Sequence, residues 1–163
     1  MTKGLRRLPW IAAPVLMAAM YLVARRYHLP LPDLHLGYRL ADLQAWARGM
    51  TPEARRAFVL WHLGLDLLWP LVYGALLWQA VCRAQRRCPG FRMLSPAWIV
   101  GAVLADFGEN LLLSWLFGKG PPLSPGLATA ASLCTLLKWG LLLGTFLSLA
   151  VVPGCAARLR NRS

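Results

Sequence analysis

Acidic side chains are scarce in this chain: six Asp and Glu stand against 18 Lys and Arg in 163 residues, a formal net charge of +12. Charged residues of both signs make up only 15%, against about 25% in a soluble domain. Cysteine is sparse and unpatterned. Cys82, Cys88, Cys134 and Cys155 form no Cys-x-x-Cys pair and no Cys/His set at zinc spacing, which excludes the usual zinc modules and dithiol redox motifs. No basic stripe with interleaved aromatics lies on a polar segment, so the positive charge does not indicate nucleic acid. The basic residues flank apolar runs instead, where they anchor helix ends and meet anionic headgroups.

What the chain has in quantity is apolar surface, 58% of its residues, with a mean hydropathy of +0.49. A helix needs roughly 20 apolar residues to cross a hydrocarbon core about 30 Å thick. Residues 8–24, 57–82, 94–117 and 127–152 meet that requirement. The expected fold is therefore all-α: a polytopic membrane protein, one transmembrane domain over 1–163, built as a four-helix bundle. The first segment is followed by Arg25-Arg26-Tyr27 rather than by small residues, and reads as a retained anchor, not a cleaved signal. Pro14 should kink it.

The one sizeable polar segment, 25–56, opens with Pro30 and Pro32, which favour extended neighbours. Leu40, Leu43, Trp46 or Ala47, and Met50 then recur at helical spacing, predicting a short amphipathic helix lying in the membrane interface. Thr51 as N-cap and Pro52 at the first helical position should start the second membrane helix. Placing both termini inside puts ten Lys/Arg on the inner side and seven on the outer, so a bacterial inner-membrane protein with cytoplasmic termini is expected, with Cys82, Cys88 and Cys155 reduced and structurally incidental. Trp10, Trp61, Trp98 and Trp115 fall near span ends, as in an interfacial belt.

Three of the six acidic residues, Asp66, Asp106 and Glu109, nevertheless lie inside predicted spans, as does Lys138. Ionisable groups at such depth are costly and need partners within the bundle. They lie eight to eleven residues from the outer ends of their spans, roughly 12–17 Å deep at 1.5 Å per residue. One shared site is expected. His62, Asp66 and Tyr73 share a face of the second span; Asp106, Glu109 and Asn110 share a side of the third; Thr135 and Lys138 share a face of the fourth. Pro70 lacks an N–H, so it should free the Asp66 carbonyl and bend the helix there. Three carboxylates against one ammonium leave a formal −2, so a carboxyl holds a proton or a cation occupies the site. Asp106 and Glu109 are the natural pair to share a proton.

The pattern Asp66…Pro70…Tyr73, Asp106-Phe107-Gly108-Glu109-Asn110 and Thr135…Lys138-Trp139, preceded by Gly37-Tyr38, resembles one found in small four-helix bacterial integral membrane proteins, and that resemblance implies no activity. The Asn-x-x-Asp-Arg signature of lipoprotein signal peptidases and the longer Asp-rich motif of CDP-alcohol phosphotransferases are missing. Three function classes fit. The site binds, and in an enzyme acts on, a small polar or cationic ligand or a lipid headgroup. In that case Asp106 or Glu109 serves as acid/base, Asp66 as partner carboxylate, Lys138 as electrostatic stabiliser and Tyr73 as a positioning hydroxyl, with His62, Asn110 and Thr135 as ligand contacts. Alternatively the chain is a proton- or cation-coupled carrier, which calls for a homo-oligomer, or an accessory subunit docking a larger membrane partner. Against all three stands a register-fixing network, worth about 0.6–2 kcal/mol per bond. No residue pattern specifies a metal or a cofactor.

Overall fold

The computed structural model describes residues 3–88 and 95–160, with side chains for 7–88 and 95–152. The side chains of Lys3, Arg6, Arg92, Cys155, Arg158, Arg160 and Arg162 lie outside the described residues. The fold is all-helical among the described residues. In chain order the helices are α1 (Lys3–Tyr27), α2 (Leu40–Gly49), α3 (Pro52–Leu63), α4 (Leu65–Arg87), α5 (Pro96–Lys119) and α6 (Pro125–Arg160). Among the described residues, four stretches are long and apolar enough to cross a membrane: Arg7–Tyr27, Pro52–Arg87, Pro96–Lys119 and Pro125–Val152.

Helix α1 continues through both Pro9 and Pro14. It ends where His28 takes up a left-handed conformation (φ 49°) and the Leu29 N–H reaches back to the Ala24 carbonyl at 2.9 Å, satisfying one of the last orphan carbonyls. The amphipathic segment does form a helix. In α2, Leu43 and Ala47 are fully buried, and the Asp42 carboxylate caps the Arg39 N–H at 2.7 Å. Helix α3 starts as its sequence requires, with the Thr51 hydroxyl accepting from the Ala54 N–H at 3.1 Å and Pro52 at the first position.

The second membrane stretch is not one helix. It breaks at Gly64, between α3 and α4, and α4 continues through Pro70. Gly64 adopts φ −108°, ψ −92°, and its N–H turns to the Trp61 carbonyl at 3.3 Å. A Cβ at this position would stand 2.8 Å from the Leu60 carbonyl oxygen, so the break depends on glycine. It also places Asp66 in the first turn of α4, where the helix dipole favours negative charge.

Two apolar clusters fill the interior. One gathers Leu43, Phe58, Trp61, Leu113, Phe117 and Ala131; Phe58 stacks on Phe117 with centroids 4.4 Å apart. Trp61 is thus a core residue packed on Phe58 and His62, not part of an interfacial belt, because α3 turns it towards α5. The other cluster joins Leu77, Val81, Ile99, Ala102 and Leu142. Along α5 these occupy 113–117 and 99–102, leaving Asp106, Glu109 and Asn110 between them. Where α5 meets α6 the packing is tight: a Cβ on Gly108 would lie 3.2 Å from Cys134 Sγ. Cys88 is disulfide-bonded, which corrects the expectation of an incidental thiol, whereas Cys82 and Cys134 are free.

Gly64→Ala should therefore cost about 1–3 kcal/mol, read as a lower detergent melting temperature. Gly126→Ala, in α6 with nothing within 4 Å of the added carbon, should leave that temperature unchanged or slightly raised.

Candidate functional site

Lys138 projects from α6 into the layer between the two apolar clusters. Its ammonium donates to Glu109 Oε2 at 2.8 Å, to Asp106 Oδ1 at 3.2 Å and to Asp33 Oδ1. An ammonium has three N–H donors, and each has a carboxylate here. The remaining oxygens of the two α5 carboxylates are also engaged. Asp106 Oδ2 accepts from the Tyr73 hydroxyl at 2.9 Å, and Glu109 Oε1 accepts from Thr135 Oγ1 at 2.5 Å and from the Tyr38 hydroxyl at 3.3 Å. The expected convergence of Asp106, Glu109, Lys138, Thr135 and Tyr73 is present.

Asp33 and Tyr38 were not expected there. Both come from the segment joining α1 to α2, which folds inward instead of remaining solvated. Asp33 sits in a single 3-10 turn, Pro32–Leu34, and its carbonyl accepts from Trp139 Nε1 at 3.1 Å. The available signal was composition: Leu29, Pro30, Leu31, Pro32 and Leu34 surround Asp33, and Leu29 and Pro32 are buried. Tyr38, in the same segment, is held as a neutral donor, since burial and then the Glu109 charge raise its pKa above the usual phenol value.

His62, Asp66 and Asn110 form an adjoining group rather than part of the Lys138 shell. Asn110 Nδ2 donates to the Asp66 carbonyl at 3.1 Å, the carbonyl that Pro70 leaves without a helical donor. His62 Nδ1 lies 2.9 Å from the Phe58 carbonyl, so this nitrogen carries a proton, and Nε2 faces Asp66 Oδ2 at 3.8 Å. Asp66 Oδ1 and Ser114 Oγ are buried with no hydrogen-bond partner among the described residues. Tyr73 pairs with Asp106 across the helices and not with Asp66, which shares its own face.

One oxygen each from Asp33, Asp106 and Glu109 lies within 4.8 Å of the others, a spacing suited to a cation. Lys138 donates to all three carboxylates, so its ammonium already serves as the cluster's cation. With Asp33 added, three carboxylates (33, 106, 109) face one ammonium, a formal −2, and Asp66 lies in the adjoining group. A cavity of about 370 Å³ opens beside the cluster, between α4 and α6, with Asp33, Asp106, Lys138 and Tyr73 in its wall. Glu109 is fully buried behind them.

Lys138→Met should lose about 3–5 kcal/mol, because it strands buried carboxylates. Tyr73→Phe, which removes one hydrogen bond, should lose about 1 kcal/mol. Chemical or thermal unfolding of both variants in one detergent checks the order.

No protein-family model matches the chain, and no similar protein was found among curated proteins or solved structures.

Proposed function

We propose that the polar layer is a binding site for a small cationic or hydrogen-bond-donating group, within a single four-helix bundle of a bacterial inner membrane whose α2 lies in the membrane interface. The observation that carries this reading is the cavity at the cluster. Its polar wall, Asp33, Asp106 and Tyr73, offers acceptors, while Lys138 has no spare donor with which to hold an anion. The formal excess of carboxylates supports the same sign of ligand, since negative charge buried without a partner is costly. A lattice of bonds that served only to fix helix register would gain nothing from surplus acid or from a cavity beside it. Asp106 is the contact residue in this reading. Glu109, Thr135 and Tyr38 position Lys138 from behind.

Ethylammonium at millimolar concentration should raise the melting temperature of the detergent-solubilised protein by several degrees. Asp106→Asn and Glu109→Gln should match or exceed the wild type in stability, as expected where charge is kept for function at a cost to the fold, and Asp106→Asn should lose the response to the amine. If every carboxylate variant melts lower and no amine shifts the wild type, the network only fixes register and the proposal fails.

The Lys/Arg balance of ten against seven supports cytoplasmic termini. The Cys88 disulfide pulls the other way, since such bonds belong to oxidising compartments. The charge count governs the proposal because it draws on every loop. Ser124 is exposed in the α5–α6 turn. In spheroplasts, Ser124→Cys should react with a membrane-impermeant maleimide; protection until the membrane is opened would invert the orientation.

A further inference from the structure

The cavity beside Lys138 is polar at one end only. From Asp33, Asp106 and Tyr73 its wall continues along Leu76 and Leu77 of α4 and Leu142 and Phe146 of α6, all apolar. On both helices these residues follow the polar ones in sequence, so the groove runs away from the cluster by one to two helical turns. It is open at the side. Phe146 is half exposed, as are its neighbours Leu143 and Leu147 on α6 and Trp78 on α4. In a bilayer that opening faces lipid tails, not water. Two indoles, Trp69 and Trp139, also line the cavity, and the Trp69 ring meets Tyr73 edge-on with centroids 6.0 Å apart.

Each part selects a different portion of a ligand. The acceptor-rich end takes a group with N–H or O–H donors and positive charge, and aromatic faces favour a cation. A zwitterionic or anionic phosphate head would meet three carboxylates and a lysine whose donors are all in use. The apolar, laterally open part takes a hydrocarbon chain. An amphiphile with both portions reaches the site from within the membrane without crossing the α1–α2 segment, which Asp33 and Tyr38 anchor over the outer face.

We infer that the ligand is an alkylammonium amphiphile, its ammonium head at Asp33 and Asp106 and its chain in the groove between α4 and α6. This inference rests on the cation-binding reading above and extends it to the ligand's tail and its route of entry.

The test uses the full chain in phosphatidylcholine nanodiscs, with dodecylamine brominated along its chain as the probe and tryptophan fluorescence quenching as the readout. Saturable quenching is expected, with brominated dodecanol at least tenfold weaker at equal mole fraction. Asp33→Asn should weaken the amine at least tenfold. Leu76→Phe, which narrows the groove, should weaken dodecylamine at least tenfold while ethylammonium still raises the melting temperature, showing that the variant is folded and its polar end intact. If ethylammonium stabilises the wild type but dodecylamine gives no saturable quenching, the tail groove is overturned and the cation site stands. If neither amine binds, both readings fall. Equal binding of amine and alcohol overturns the assignment of a cationic head.

Discussion

The structure turns on one ammonium group. Lys138 reaches from α6 to two carboxylates on α5 and a third on the segment before α2, so a single side chain fixes three parts of the chain at once. Between helices surrounded by lipid, apolar contact gives no hydrophobic gain, and association depends on close packing and polar bonds. Register is therefore set where those bonds are densest. The two apolar clusters on either side supply shape. The lysine supplies position. Burying such ions is repaid only when the geometry is nearly complete, and the saturation of the Lys138 donors and of both α5 carboxylates meets that condition.

Helix α5 divides the polar layer. Glu109 and Asn110 are consecutive, and successive residues on a helix point about 100° apart. Glu109 consequently meets α6 and the inward-folded segment, whereas Asn110 meets the start of α4. This explains why acidic groups at a single depth form two adjoining groups instead of one. The His62–Asp66 pair sits on the far side, and its Asp66 Oδ1 is buried with no hydrogen-bond partner among the described residues. Every donor of Lys138 is in use, whereas the carboxylate oxygens of Asp33 and Asp106 keep lone pairs free on the cavity side.

Features with local or periodic causes were legible in the sequence. The common depth of Asp106, Glu109 and Lys138 follows from a fixed rise per residue, and the Thr51-Pro52 helix start follows from capping chemistry. The free carbonyl of Asp66 follows from the missing N–H of Pro70, although its donor, Asn110, was not foreseen. What escaped depended on contacts distant in the chain. Asp33 and Lys138 are 105 residues apart, and no period links a loop to a helix. The break at Gly64 left no periodic signal, because a lone glycine is tolerated within a helical pattern and its need shows only in the crowding at the Leu60 carbonyl. Trp61 lay near a span end, which says nothing of the direction in which its ring points.

The place of Lys138 in the chain has a consequence for biogenesis. Asp106 and Glu109 are synthesised before the helix that carries their counter-ion, Lys138. Each acidic group costs about 2.5–3.5 kcal/mol to centre in an inserting helix. In a membrane the third span would therefore enter lipid without its counter-ion, and the penalty would be relieved when α6 docks. Until then that helix would depend on the insertion machinery, or on protons taken up from either side, to remain in place.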